Sequence, residues 1–284
     1  MQLKDNFFLF CFSFLFLANI IAWLVVYNLS KVKFLDVNFF DVGQGDAIFI
    51  ETPERNQILI DGGPSSSILE KLGKEMPFWD RSIDLIILTH PERDHMAGLI
   101  EVLKKYKVEN ILWTGILRDT AEFQEWLKLI KEEKAQIFIA KAGQRVTDQN
   151  IILDILYPFE SLEGKEFKES NNTSIIGKLT FNKNSFLFTG DAYKSAEEKL
   201  IKRQSDISSN VLKVAHHGSK TSTSNKFLEE VSPEIGVISV GENKYGHPHQ
   251  EVLERFKKYG IKILRTDLDG DIKIISDGSN LILK

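Results

Sequence analysis

From residue 34 to the C-terminus, short apolar runs typical of β-strands alternate with stretches that have the spacing of amphipathic helices. Most of the runs end in glycine, proline or a polar residue, which marks the end of a strand. The run at residues 83–90, IDLIILTH, is almost wholly apolar, as is typical of a strand covered on both faces. There is no internal repeat and no long low-complexity linker. The alternation predicts one α/β domain at residues 34–284, built on two predominantly mixed sheets.

The N-terminus is of a different kind, because residues 7–27 carry no charge and are mostly apolar. As a helix this run is about 32 Å long at about 1.5 Å per residue, enough to cross the core of a bilayer. A cleaved signal peptide is the alternative, but no small-x-small cleavage site follows the run. We therefore predict that residues 1–33 are a retained membrane anchor or an uncleaved signal segment, which makes this a single-pass protein of the cell membrane.

Composition limits the chemistry of any site in the 284-residue chain. The formal net charge is -4, which argues against a broad basic face that grips duplex nucleic acid. The only cysteine, Cys11, lies in the apolar N-terminal run. No disulfide framework and no thiolate metal site are available, so nitrogen and oxygen atoms must hold any metal.

The six histidines form three pairs, and each pair directly follows a strand pattern, next to glycine or proline. The pairs are His90 and His95, His216 and His217, and His247 and His249. An isolated histidine is usually a surface residue or a satisfied core residue, but clustering at strand ends is typical of a functional site. We assign the histidines jointly to such a site, except for His249, which we predict to be a surface residue.

Two carboxylates accompany the first pair in the motif THPERDHMAG. On an extended or turning segment alternate residues point the same way, so His90, Glu92 and Asp94 can converge. His95 then enters from the start of the following helix. Imidazoles and carboxylates are ligands that Zn²⁺, Mn²⁺ or Fe accept. The alternative role for Asp94 is to cap that helix.

Further ligands are predicted later in the chain. Asp191 ends the run FLFTGD, where one carboxylate can bridge two cations about 3.5–4 Å apart. Adjacent side chains leave a strand on opposite sides, so of His216 and His217 one is expected to bind metal while the other contacts substrate or orients a ligand. The spacing leaves this choice open, and we assign His217 to the metal and His216 to catalysis.

Seven motifs occur in the order DVGQGDA, ILIDGG, THPERDHMAG, NNTSI, LFTGD, LKVAHHGSKTSTS and YGHP. Together they resemble the metallo-β-lactamase superfamily over residues 34–284, and specifically the metallo-hydrolase domain attached to ComEC, a competence protein and DNA-uptake channel. The resemblance implies a four-layer αββα sandwich with two divalent metal ions, Zn²⁺ or Mn²⁺, between the sheets. It also implies the ligands, which are His90, Glu92, Asp94, His95, Asp191 and one of His216 and His217, with Asp61 as structural support.

The sequence departs from the wider superfamily at two places. Glu92 stands where that superfamily usually has histidine, and Asn171 and Asn172 stand where a further ligand histidine occurs. Harder oxygen ligands favour Mn²⁺ over Zn²⁺, and they weaken the site that includes His90 and Glu92. ComEC has many membrane-spanning helices whereas this chain has room for one, so we expect a stand-alone ComEC-like hydrolase on an anchor. The resemblance favours an extracytoplasmic catalytic domain.

The predicted reaction is hydrolysis of a phosphodiester in DNA by a hydroxide held between two metals and oriented by Asp94 and Asp191. His247 and the second histidine of the 216/217 pair are predicted to contact phosphate or protonate the leaving oxygen.

The predicted substrate contacts combine hydroxyl, amide and basic groups with an aromatic ring on which a single-stranded base can stack. These residues are Asn171, Asn172, Ser219, Lys220 and Tyr245. A basic rim is predicted from Lys213, Lys220, Lys226 and Lys244. Two alternatives stay open: a hydrolase of another exposed substrate, such as a phosphocholine-type, teichoic-type or small signalling ester, and a module that binds metal or DNA without turnover.

Overall fold

The structure is a computed structural model that describes the backbone of residues 2–30 and 34–284, with side chains for 10–26 and 34–284. The chain divides into two compact units, residues 1–33 and 34–284. In the first unit, helix α1 is Gln2–Ser30. Among the described residues, no helix has both the length and the apolarity needed to cross a membrane. The structure therefore does not support the predicted anchor at residues 7–27, and the side chains at both ends of that run lie outside the described part.

The second unit contains two β-sheets. Among the described residues, the first sheet has eight strands in the order β15-β14-β1-β2-β3-β4-β5-β6. They are β1 (Leu35–Phe39), β2 (Ile48–Glu51), β3 (Gln57–Ile60), β4 (Ser82–Leu88), β5 (Lys107–Trp113), β6 (Gln136–Ile139), β14 (Ile272–Ser276) and β15 (Leu281–Leu283). Strands β3 to β6 are parallel and the others pair antiparallel, so the sheet is mixed as predicted.

The second sheet has seven strands within the described range, in the order β13-β12-β11-β10-β9-β8-β7. They are β7 (Arg145–Asp148), β8 (Ile151–Tyr157), β9 (Ile176–Phe181), β10 (Asn184–Phe188), β11 (Val211–Lys213), β12 (Ile235–Ile238) and β13 (Lys262–Arg265). Strands β10 to β13 are parallel and β7 to β10 pair antiparallel. Both sheets thus have a block of parallel strands whose carboxyl ends meet at one edge.

Amphipathic helices cover the outer faces of the sheets. They are α2 (Ser67–Glu75), α3 (Arg93–Leu103), α4 (Ala121–Glu133), α5 (Lys194–Lys202), α6 (Asn225–Val231) and α7 (Gln250–Lys258), and the short α8 (Thr266–Asp269) follows β13. Apolar residues of α2, α3 and α4 form one core with the first sheet, and those of α5, α6 and α7 form another with the second sheet. A third core lies between the sheets. The layers are therefore helix, sheet, sheet, helix, which agrees with the predicted sandwich.

Strand β4 shows why the site lies between these layers. Leu85 and Ile87 join the core between the sheets, whereas Ile83, Ile86 and Leu88 join the core under the helices. Both faces of the strand are therefore buried, as its apolar sequence predicts. The first polar side chains that follow it emerge at the edge of the sandwich.

Candidate metal centre

Polar residues follow the carboxyl ends of strands in both sheets and meet at one edge of the sandwich. Asp61 follows β3 and His90 follows β4 in the first sheet. Asp191 follows β10 and His217 follows β11 in the second. Because parallel strands end at the same edge, residues far apart in sequence come within contact distance here.

The THPERDHMAG motif is a strand end followed by a helix start. Glu92 is the residue that precedes α3 and has extended backbone angles, and the backbone N–H of Met96 donates to its carbonyl oxygen at 2.9 Å. Asp94 and His95 therefore lie in the first turn of α3. The helix packs directly on the turn after β3, where a Cβ on Gly98 would come within 1.8 Å of the carbonyl oxygen of Gly62. Only glycine permits this approach, which brings the first turn of α3 to Asp61.

Four side chains converge at this edge, and we call them the inner group: Asp94, His95, Asp191 and His217. One ligand atom from each lies within 4.8 Å of the others. The Nε2 atom of His95 is 3.4 Å from Asp191 Oδ1, and the Nε2 atom of His217 is 3.5 Å from Asp191 Oδ2 and 3.4 Å from Asp94 Oδ2. Two imidazoles and two carboxylates around one point form a donor set that suits a divalent transition metal.

The other ring nitrogen of each imidazole is held by the protein. His95 Nδ1–H donates to Asp61 Oδ2 at 2.8 Å, and His217 Nδ1–H donates to the carbonyl oxygen of Ser239 at 2.8 Å. The Nδ1 atom of His90 lies 3.0 Å from Thr89 Oγ1. Such bonds fix the orientation of each ring, with its Nε2 atom directed away from the Nδ1 partner and available to a metal ion in place of a proton. The structure thus places Asp61 where it orients His95.

Four buried atoms of the residues described above have no hydrogen-bond partner in the described chain. These are the Nε2 atoms of His90, His95 and His217 and the Oδ1 atom of Asp191. A buried polar atom without a partner costs about 1–3 kcal/mol, so an arrangement that leaves several together calls for a ligand. The residues present therefore fit a metal ion bound at the inner group.

Charges in the group are unevenly distributed. Burial opposes protonation of His217, but neighbouring carboxylates, Asp191 first, outweigh it and raise its pKa to about 10. The same balance raises the pKa of His95 above its usual value. Burial, with His95 nearby, lowers the pKa of His90 to about 3. Positive charge is therefore favoured beside His95 and His217 and disfavoured at His90.

The two adjacent histidines have different surroundings. His216 and His217 both adopt left-handed backbone angles, with φ of 51° and 52°. This turn buries His217 in the inner group and leaves His216 on the wall of the open cleft. The Nε2 atom of His216 lies 3.3 Å from Asn171 Nδ2 and 3.8 Å from Asp191 Oδ2. The structure therefore brings His217, and not His216, into the inner group, a choice that the sequence left open.

A second group of acids and histidine shares His95 with the inner group. We call it the lysine-paired group; it consists of Asp46, Asp61 and His95. The Nζ atom of Lys213 is in ion-pair contact with Asp46 Oδ2, and both side chains are buried. Lys213 was predicted to lie on a basic rim, and that prediction is wrong. Its ammonium is inside the protein because it compensates Asp46, a residue that the sequence analysis did not single out although it lies in DVGQGDA.

Glu92 lies outside the inner group, contrary to the predicted convergence with His90 and Asp94. Its Oε1 atom accepts a hydrogen bond from Ser170 Oγ and pairs with Arg118 Nη2 at 2.8 Å. His90 does approach the inner group, since its Nε2 atom lies 4.0 Å from Asp191 Oδ2. Neither Arg118 nor Ser170 was marked in the sequence, because nothing in their local pattern distinguishes them from other loop residues.

Three members of the inner group, Asp94, Asp191 and His217, line a cleft of about 550 Å³, and the fourth, His95, is fully buried. Among the predicted substrate residues, Asn171, Lys220 and Tyr245 line the cleft. Two others are directed elsewhere: Asn172 Oδ1 accepts from Ser195 Oγ at 3.0 Å, and Ser219 is buried with its hydroxyl 2.9 Å from Thr221 Oγ1.

Other residues complete the walls of the cleft. His249, predicted to be a surface residue, lines the cleft. Lys244 lies beside Tyr245, with Nζ at 5.8 Å from the ring centre, whereas Lys226 is exposed on α6. Burial and the neighbouring His216 lower the pKa of His247 to about 4.

A row of aromatic rings runs along the cleft. The ring of His216 is stacked 5.6 Å from Tyr193 and lies 5.3 Å from His247, which is 5.7 Å from Tyr245. Tyr193 was missed in the sequence, although an aromatic residue two positions after Asp191 was a usable signal. This aromatic row, Tyr193–His216–His247–Tyr245, places flat rings beside the inner group.

The fold and the inner group define the class of protein. A model of the metallo-beta-lactamase superfamily matches residues 40–242, a range that includes the whole inner group. The chain belongs to this superfamily, as its motifs predicted.

Two individual relatives are similar to most of the chain, and one of them is named a competence protein. The chain is 30% identical over 256 residues to ComE operon protein 3 of Bacillus subtilis (strain 168), covering 84% of this chain and 32% of that protein. It is 30% identical over 239 residues to competence protein ComA of Neisseria gonorrhoeae, again covering 84% and 32%. These similarities confirm the predicted relationship to competence proteins. The chain spans about a third of the length of these curated relatives.

A solved structure supports the fold. The metallo-beta-lactamase fold protein YhfI from Bacillus subtilis superimposes with a TM-score of 0.60 at 13% sequence identity, covering 86% of this chain and 100% of that one. At this identity the likeness concerns the fold alone.

Proposed function

We propose that residues 34–284 act as a metal-dependent phosphodiesterase whose substrate is DNA. The observation that carries this proposal is the convergence of unpartnered, buried His95, His217 and Asp191 atoms, with His217 and Asp191 lining an open cleft. The choice of DNA rests on the similarity to a protein named for competence and on the aromatic row, since flat rings stack on unpaired bases.

The first cation would be held by the inner group. Asp94 and Asp191 supply oxygen and His95 and His217 supply nitrogen, a mixed set that suits Zn²⁺ or Mn²⁺. A second, weaker cation would lie beside His90 and share Asp191. When bound, such ions supply Lewis acidity and lower the pKa of water to near neutrality.

The chain's own groups have separate tasks around that centre. Asp61 and the carbonyl of Ser239 keep the two ligand imidazoles oriented. His216 lies on the cleft side of Asp191 and would contact a phosphoryl oxygen. His247 would contact the phosphate by a hydrogen bond, because its pKa is lowered to about 4 and the neutral form is dominant at pH 7. Lys220 would contact the phosphate backbone at the mouth of the cleft.

The test uses the whole chain, labelled single-stranded and double-stranded DNA, and Mn²⁺ or Zn²⁺. We expect metal-dependent cleavage that falls by more than ~100-fold in Asp94→Asn and Asp191→Asn, since changing even a residue that only orients a ligand costs about 10–100-fold. Asp206→Asn is the matched control, because its side chain is 80% exposed and its ion pair with Lys178 lies outside the inner group.

Other outcomes select other functions. Cleavage of small chromogenic phosphodiesters without cleavage of DNA would support a hydrolase of a different ester. Metal binding without cleavage of any phosphodiester would support the binding module and contradict the proposed activity.

A further inference from the structure

Glu92 is held away from the metal centre by a specific set of contacts. Its backbone position is set by α3, because the N–H groups of His95 and Met96 donate to its carbonyl oxygen at 3.1 and 2.9 Å. Its side chain lines the same cleft as Asp94 and Asp191. Its Oε1 atom is bound by Arg118 and Ser170. We call these two residues the Glu92 clamp.

The clamp is itself anchored. Arg118 Nη1 donates to the carbonyl oxygen of Phe167 at 3.0 Å, and the backbone N–H of Leu117 donates to that of Lys165 at 2.9 Å. The Arg118 side chain is only 20% exposed. Ser170 is buried, and its carbonyl oxygen accepts from the backbone N–H of Thr173 at 2.8 Å. Both clamp residues are therefore placed by backbone contacts that do not depend on Glu92.

A cation beside His90 has few ligands as long as the clamp is closed. His90 Nε2 is buried, has no partner in the described chain, and lies 4.0 Å from Asp191 Oδ2. Asp191 is already shared with the inner group. Among the described residues, no set of three ligand side chains that includes His90 or Glu92 comes together as the inner group does.

The negative charge of Glu92 is not available to a cation beside His90 while Glu92 is paired with Arg118. A carboxylate paired with a guanidinium has its charge compensated and one oxygen engaged, so it is a poor ligand for a nearby cation. We propose that Arg118 is a positioning residue that keeps Glu92 from binding a second divalent cation beside His90. The enzyme would then hold one cation tightly at the inner group and a second only weakly. This inference rests on the proposed function insofar as the first cation binds at the inner group.

The test measures Mn²⁺ binding to the metal-stripped whole chain by calorimetry and by elemental analysis after dialysis. For the unaltered protein we expect one tight site and one weak site. Arg118→Met should tighten the weak site by at least ~5-fold, the effect of an uncompensated charge about 4 Å from an ion under water-like screening. Glu92→Gln alone should leave both affinities unchanged, and the double variant should lose the gain.

Three controls separate this effect from a general disturbance. Arg118→Lys keeps the positive charge and should keep the weak site weak. Ser170→Ala removes the other clamp partner and should tighten the weak site in the same direction but less, which provides a second measurement if Arg118→Met does not fold. Arg145→Met breaks a different ion pair, with Asp154 at 2.6 Å, and should change neither affinity.

The contrary results are distinct. If Glu92→Gln weakens the second site in the otherwise unaltered protein, or if Arg118→Met weakens it or leaves it unchanged, Glu92 is not held back by Arg118 and the inference is wrong. If the unaltered protein binds no cation, the proposed function fails as well.

Discussion

The inner group and the lysine-paired group share His95 and are built from the same residue types, yet their charges are balanced in different ways. In the lysine-paired group, the ammonium of Lys213 contacts Asp46, and Asp61 is engaged by Thr89 and His95. In the inner group, the Nε2 atoms of two imidazoles and an oxygen of Asp191 have no hydrogen-bond partner in the described chain.

The difference teaches that closeness of acids and histidines is not sufficient to define a metal site. Both groups bring their ligand atoms within 4.8 Å of one another. What distinguishes them is the position of the Lys213 ammonium, which is in ion-pair contact with Asp46 but lies 4.0 Å from Asp191 Oδ1, because a buried charge is tolerated only when it is closely paired. The lysine-paired group already contains a positive charge, the ammonium of Lys213, whereas the inner group keeps unpartnered ligand atoms that can bind a metal ion.

The largest effect on stability is expected from removing the buried ammonium of Lys213. Lys213→Met would leave Asp46 buried and without its partner ammonium, so the free energy of unfolding should fall by about 3–5 kcal/mol. Urea unfolding of the whole chain measures this change. Lys220→Met, at an exposed lysine in the turn that follows β11, should stay within about 0.5 kcal/mol of the original protein. Adding Asp46→Asn to Lys213→Met should restore much of the loss, and a Lys213→Met protein of unaltered stability would remove the distinction between the two groups.

A smaller effect is expected where the two groups meet. Asp61→Asn keeps a residue that tolerates the left-handed backbone, at φ of 57°, but disturbs the bonds to Thr89 and His95. Metal affinity at the inner group should fall by about 10–100-fold, as measured by competition with a chelating dye. Thr89→Ser retains the hydroxyl that bonds Asp61 and should change affinity little. An unchanged affinity in Asp61→Asn would show that the lysine-paired group does not orient the metal ligands.

The smallest effect is expected outside both groups. Tyr245 is 59% exposed and ends the aromatic row, so Tyr245→Ala should raise the KM for single-stranded DNA by about 5-fold, near the lower limit for loss of a base stack. Neither metal affinity nor the free energy of unfolding should change. Tyr245→Phe keeps the ring and should retain the original KM. A loss of metal affinity in Tyr245→Ala would mean that the row and the inner group are not independent.

Much of the architecture could be predicted because it depends on local patterns. The apolar run of β4 predicted burial on both faces of that strand. The positions of the histidines, just after strand patterns and next to glycine or proline, predicted that they would meet in one site. Strand β7 was missed because its sequence, RVTD, contains one apolar residue, and only pairing with β8 makes it a strand. Helix α6 was missed because it has seven residues, too few to show a clear helical period.

The site was predicted less completely, for a related reason. His95, Asp191 and the 216/217 pair were recognised from their positions at strand ends, and the structure brings them together. The placement of Glu92 could not be predicted, because its partner Ser170 lies 78 residues away. Lys213 was placed on the surface because a lysine is usually exposed, and nothing adjacent to it in the chain shows that it pairs with Asp46.

The amino-acid sequence by itself determined the layered α/β domain, its superfamily and the kinds of side chain that collect at one edge of the sheets, since these follow from periodicity and from residue type. Only the tertiary structure decided which charges are already balanced, with Lys213 beside Asp46 and Arg118 beside Glu92, and which atoms are left to bind a cation. The physical reason is that electrostatic compensation depends on distances across the fold, and the order of residues along the chain does not contain those distances.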